Sequence, residues 1–230
     1  MKRESPHGKA RTARLHSKPS HPGIQPATPA QPVRGGKRSP GKGGNRVRIV
    51  AGRFRGRWIE FPDLEGLRPT GNRVRETLFN WLGQRMDGQR CLDAFAGSGA
   101  LGFEAASRGA ANVVLLDTSG IACAALERNR ARLDARMCQV ERCDALTYLG
   151  QAGATFDVIL VDPPFASGLL PEVLVRAQPR LAPGGRLYCE WREPVEEVLA
   201  RMSQPAWEVV RTGKAGVVHF ALLVPRDRPR

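Results

Sequence analysis

From residue 91 onward, short apolar runs take turns with longer stretches whose apolar positions recur at helical spacing. The runs near 91–95, 112–116, 138–142, 157–161 and 186–191 have the length of strands. The stretches near 100–108, 119–132, 170–180 and 194–202 have the length of helices. That alternation predicts an α/β architecture, a mostly parallel sheet with helices on both faces. Ahead of it, Val74, Leu78, Trp81 and Leu82 predict an amphipathic helix over 72–82, with Thr70 or Asn72 as its cap. At the far end, 207–211 and 216–224 flank Thr212-Gly213-Lys214 and predict an antiparallel hairpin at the sheet edge.

Before residue 46 the pattern disappears. Residues 1–45 hold ten Lys or Arg against the single acid Glu4, with seven Pro and seven Gly and no apolar period. Such a segment cannot bury enough apolar surface to offset its ordering entropy, so a disordered basic tail is expected over 1–45 and one domain over 46–230. The tail's net charge of +9, subtracted from +14 for the chain, leaves +5 on 46–230. A basic excess on both parts suits phosphate backbones, through counterion release and steering. Within 46–62, Arg46, Arg48, Arg53, Arg55 and Arg57 interleave with Val47, Ile49, Val50, Phe54 and Trp58, predicting two short strands around Ala51-Gly52. Alternation sets guanidinium groups on one face and packs Val, Ile and Trp on the domain, which makes these five arginines the candidate RNA contacts.

Candidate chemistry gathers at strand ends. The run 91–95 leads into Ala96-Gly97-Ser98-Gly99-Ala100-Leu101-Gly102, where glycines permit positive φ and a helix start presents unpaired N–H groups. Asp117 follows Gly97 by twenty positions, where a carboxylate can accept from ribose hydroxyls. NAD and S-adenosylmethionine both satisfy this much. Asp93, just ahead of the glycines, suits a cationic ligand, and Asp144 can accept from an adenine amino group or merely cap the helix over 145–149. Asp93, Gly97, Gly99, Asp117 and Asp144 thus form a cofactor set that favours S-adenosylmethionine.

Asp162-Pro163-Pro164-Phe165 closes the apolar run 158–161. Two prolines end ladder hydrogen bonding where the carboxyl ends of strands line the ligand crevice. Asp162 and the Pro163 carbonyl can accept from an exocyclic amine while Phe165 stacks on its ring; a plain turn after a core strand uses the same residue types.

Four blocks, Arg68-Pro69-Thr70, Arg73-Val74-Arg75-Glu76-Thr77-Leu78-Phe79-Asn80-Trp81-Leu82, residues 92–102 and Asp162-Pro163-Pro164-Phe165, together resemble the bacterial 16S rRNA guanine-N2 methyltransferase family. The resemblance runs from about 46 to 224. It implies a class I, Rossmann-like methyltransferase fold, S-adenosylmethionine as methyl donor, and a guanine of small-subunit rRNA as target, within an assembling or assembled subunit. Asp162, Pro163 and Phe165 are the candidate acceptor site, and Arg68 and Thr70 either bound the methionine end of the cofactor or serve as surface charge and helix cap. The chain departs from the family at Ser119, where a second acid usually follows Asp117.

Five cysteines without a CxxC pair, and four histidines of which three lie in the tail, suggest reduced core thiols and no metal site. With neither a leader-like apolar segment nor a run of membrane-span length, a cytoplasmic monomer is expected. Three other functions fit parts of the pattern: a DNA adenine-N6 methyltransferase, an NAD-dependent oxidoreductase, and a basic nucleic-acid-binding module without catalysis.

Overall fold

Apolar runs buried on both sides become the inner strands of a sheet, and their pleat sorts alternate side chains to opposite faces. A computed structural model describes residues 45–64, 67–203 and 206–226. The basic tail expected over 1–45 lies, but for Asn45, outside the described residues. Two short strands, β1 (Arg46–Arg48) and β2 (Trp58–Glu60), pair antiparallel as a separate ribbon. The main sheet contains β3 (Arg90–Asp93), β4 (Asn112–Asp117), β5 (Cys138–Arg142), β6 (Phe156–Val161), β7 (Leu181–Trp191), β8 (Trp207–Ala215) and β9 (Val218–Pro225). Their order is β5-β4-β3-β6-β7-β9-β8, parallel through β7, with β9 antiparallel to both its neighbours. Winding reverses between β3 and β6, which opens the crevice at their carboxyl ends.

Helices α1 (Asn72–Leu82), α2 (Ala100–Ser107) and α3 (Gly120–Leu133) cover one face, where Leu78, Phe103 and Leu126 pack on Cys91, Leu115 and Leu160. Helices α4 (Ala145–Gly150), α5 (Leu170–Ala177) and α6 (Val195–Ala200) cover the other, where Leu149, Leu174 and Val198 pack with Leu92, Ile159 and Leu187. Both faces are therefore dry, as a parallel sheet requires.

Five expectations need correction. The closing hairpin turns at Gly216, with φ +61°, rather than at Thr212-Gly213-Lys214, which continue β8. Gly213 is a glycine for contact: a Cβ there would stand 2.4 Å from the Phe220 ring. The Arg-rich ribbon does not turn at Ala51-Gly52, since 49–57 form a longer connection between β1 and β2. Gly52 instead sits against the end of α2, where a Cβ would meet the Ser107 carbonyl. Trp58 does not pack inward but is 41% exposed. Finally, Gly71 caps α1 without a side-chain bond, leaving Thr70 and Asn72 with other partners. Helix α5 also ends sooner than expected, because Pro179 diverts the chain into a 3-10 turn over Gln178–Arg180.

Candidate active site

At the end of β3 the Asp93 carboxylate lies buried under the glycine loop. Its Oδ2 accepts from the Gly102 amide at 2.9 Å, while Oδ1 is buried with no hydrogen-bond partner among the described residues. Gly97 and Gly99 take φ +49° and +79°, and Leu67 packs over Gly97 from the segment leading to α1. Burial, opposed by the Gly102 amide and reinforced by Asp162 and Asp117, pushes the Asp93 carboxyl up to about 7. A buried carboxylate oxygen left without a donor fits a positively charged group above the loop, and S-adenosylmethionine carries one.

Asp117 ends β4 and holds the loop directly: Oδ2 accepts from Gly97 N at 2.9 Å and Oδ1 from Ser119 N at 2.7 Å. Each oxygen keeps a further lone pair for a ribose hydroxyl. Ser119, at the position where an acid was expected, caps α3 by accepting from Ala122 N at 3.3 Å. Asp144 is exposed and caps α4, accepting from Thr147 N at 2.9 Å through Oδ1, which leaves Oδ2 for an adenine edge.

At the end of β6, Asp162 stands one strand from Asp93. Thr70 donates to Asp162 Oδ2 at 3.3 Å, so the Arg68-Pro69-Thr70 segment closes over the acceptor side, with Arg68 exposed. Desolvation, eased by Thr70, pushes Asp162 up to about 6. Pro163 is buried and Pro164 exposed. Phe165 opens a 3-10 turn and meets Trp191 edge-to-face, with centroids 5.9 Å apart at 81°, so its orientation is set by packing. A cavity of about 530 Å³ adjoins, lined in part by Trp191, Thr212, Lys214, His219 and Phe220.

Two features of the site escaped the sequence. Glu190, on β7, is 5% exposed beside Asp162, and burial together with that neighbour pushes it up to about 8. Tyr188 reaches its Oε1 at 3.0 Å. A lone acid in the apolar run 187–191 was the available signal. The other is Arg75, fully buried in α1, which donates to Glu104 at 2.9 Å, to the Arg48 carbonyl at 2.7 Å and to Asn72 at 2.5 Å. Glu104 in turn accepts from the amides of Val50 and Ala51, which ties the Arg-rich connection to the sheet domain.

All five arginines of that connection are exposed, but they do not share one face. Arg46 and Arg48 stack on Trp58, with guanidinium carbons 4.5 and 5.8 Å from the ring centroid. Arg53 approaches Asp134 at 4.0 Å and Arg57 donates to the Arg132 carbonyl, both at the end of α3. Arg55 lines a smaller cavity with Arg48 and Glu76.

The order of strands agrees with the fold of known proteins. The family model described as conserved hypothetical protein 95 matches residues 47–224. The chain belongs to that family. Conserved hypothetical protein 95 relatives include ribosomal RNA small subunit methyltransferase D of Escherichia coli, 42% identical over 183 residues, covering 78% of this chain and 90% of that protein. The protein of the same name in Haemophilus influenzae is 37% identical over 182 residues, covering 76% and 92%. The solved structure of Escherichia coli yhhF superposes with a TM-score of 0.70 at 37% identity, covering 80% of this chain and all of that one. The fold of this family member is the class I methyltransferase fold.

Three of the five thiols belong to the core, while Cys123 Sγ donates to the Asp117 carbonyl at 3.4 Å. Cys91, Cys138 and Cys189 are buried, and burial pushes each up to about 12. Among the described residues no helix is long and apolar enough to cross a membrane.

Proposed function

We propose that the protein methylates the exocyclic N2 of a guanine in 16S rRNA, within an assembling or assembled small ribosomal subunit, using S-adenosylmethionine. The observation that carries this reading is the placement of Asp93 and Asp162 at the ends of adjacent strands β3 and β6, one beneath the glycine loop and the other ahead of Pro163-Pro164-Phe165. One carboxylate serves a cationic donor and the next a planar amine. The name shared by the Escherichia coli and Haemophilus influenzae relatives supports the rRNA target. The protein then works as a cytoplasmic monomer.

When bound, S-adenosylmethionine supplies an electrophilic methyl group. Asp93, Gly97, Gly99, Asp117 and Asp144 would hold it, the unpartnered Asp93 carboxylate oxygen suiting a positively charged group. Guanine N2 is a poor nucleophile because its lone pair is delocalised into the ring. Asp162 and the Pro163 carbonyl accept the N2 hydrogens, favour the pyramidal amine and stabilise the positive charge that develops on nitrogen. Phe165 holds the base face, and orientation supplies much of the remaining acceleration. The target base must be unpaired or leave its stack to reach a strand-end crevice. Arg46, Arg48, Arg53, Arg55 and Arg57 hold the surrounding RNA backbone.

Labelled S-adenosylmethionine offered with naked 16S rRNA, unmethylated small subunits and DNA tests the reading. Label is expected on rRNA and absent from DNA, and Asp162→Ala is expected to lower transfer by about 10²-fold or more. Labelling of DNA, or full activity in the variant, refutes it.

A further inference from the structure

The acceptor side holds one more carboxylate than methyl transfer requires. Val161 pairs with Cys189 across the parallel strands β6 and β7, so the next residues, Asp162 and Glu190, end those strands side by side. Both follow by two positions residues packed on the α1 face, Leu160 and Tyr188, and the pleat therefore turns both side chains to that face. Thr70 donates to Asp162 Oδ2 at 3.3 Å, and Tyr188 donates to Glu190 Oε1 at 3.0 Å. Among the described residues no Lys or Arg forms an ion pair with either carboxylate. Two recessed acids without a cation are unfavourable for the fold alone, and such an arrangement persists where a ligand supplies the missing donors.

Building on the proposed function, we infer that Glu190 is the residue that selects guanine, by accepting the N1–H of the base whose N2 amine is held by Asp162. Guanine presents N1–H and N2–H donors next to each other on one edge. Two neighbouring carboxyls present acceptor oxygens to match, with Tyr188 fixing Glu190 through Oε1 at 3.0 Å. Adenine, by contrast, places a lone pair at N1 beside its amine, and that lone pair faces an acceptor oxygen with no hydrogen between them. A site built around a donor rejects the analogue that lacks it far more strongly than a hydrophobic pocket rejects a change of size.

The test replaces the target guanosine by 2,6-diaminopurine riboside, which keeps the N2 amine but carries a lone pair at N1. Small subunits reconstituted with either base are offered to the full-length enzyme and to Glu190→Gln, whose amide can accept from N1–H or donate to a bare N1. The wild type is expected to prefer guanine by about 100-fold in kcat/KM, and Glu190→Gln to narrow that preference to within about tenfold. Its affinity for S-adenosylhomocysteine is expected to stay within about twofold of wild type, showing an intact fold. Equal use of both bases by the wild type, or an unchanged preference in Glu190→Gln, overturns the inference while leaving the methyltransferase reading standing. Absence of any N2 methylation by the wild type overturns both.

Discussion

Arg75 and Glu104 meet at 2.9 Å with both side chains fully buried, and Glu104 also takes Arg108 at 3.0 Å and the amides of Val50 and Ala51. Burial lowers the Arg75 pKa and the Glu104 carboxylate opposes that, so each charge depends on the other. Removing the carboxylate leaves a desolvated guanidinium with only neutral acceptors, the Arg48 carbonyl and Asn72 Oδ1. Glu104→Gln is expected to lower unfolding free energy by about 3–5 kcal/mol, measured by urea denaturation. A loss under about 1 kcal/mol would mean that Arg75 finds water or another acceptor.

Gly102→Ala puts two effects in competition. Alanine in a helix ordinarily gains about 0.5–1 kcal/mol over glycine. Here its Cβ would stand 2.2 Å from Leu115 Cδ2 and 3.1 Å from Asp93 Oδ2, and overpacking of that kind costs about 1–3 kcal/mol. A lower melting temperature together with weaker S-adenosylhomocysteine binding is expected. A variant more stable than wild type would show that α2 can shift freely over β4.

Stability should fall as pH rises. Burial raises Asp93 to about 7, Asp162 to about 6 and Glu190 to about 8, above their ordinary values of 3.8, 3.8 and 4.5. The folded protein therefore retains protons that the unfolded chain has released. The stability linked to them is fully present below about pH 4 and is lost as pH climbs through 6 to 8. Urea midpoints of the ligand-free protein are expected to decline over that window, less steeply in Asp93→Asn. Saturating S-adenosylmethionine should reduce the decline by placing a cation beside Asp93. Midpoints that rise with pH would reverse the assignment.

Arg46, Trp58 and Arg48 form a stack open to solvent. If a base joins that stack, Trp58→Ala weakens rRNA binding by about 1–3 kcal/mol with little change in salt dependence. Arg46→Ala, losing a phosphate contact, should instead flatten the slope of log affinity against log salt by about one. Fluorescence titration of an rRNA fragment at several salt concentrations separates the two; identical effects would place the RNA elsewhere.

What could be read from the chain alone was the part set by local pattern. Continuous apolar runs marked the inner strands because both sheet faces are dry, and the glycine loop and Asp162-Pro163-Pro164-Phe165 announce themselves by residue type. What stayed hidden depended on partners distant in sequence. Arg75 looks like a surface charge in an amphipathic helix until Glu104, 29 positions later, is seen beneath it. Thr70 looks like a helix cap, yet its partner is Asp162, 92 positions away. Glu190 acquires its meaning only from the register of β6 against β7. Trp58 followed the inward half of an alternating pattern, but arginines on both neighbouring positions of the ribbon stabilise it outside.

The identity of the modified nucleoside tests the central claim most directly. Small subunits methylated in vitro, digested to nucleosides and resolved by mass spectrometry against standards are expected to yield N2-methylguanosine, at one position and only with Asp162 intact. N6-methyladenosine, a methyl group on a ring atom, or no product with the cofactor bound would contradict the assignment of Asp162 to the guanine amine.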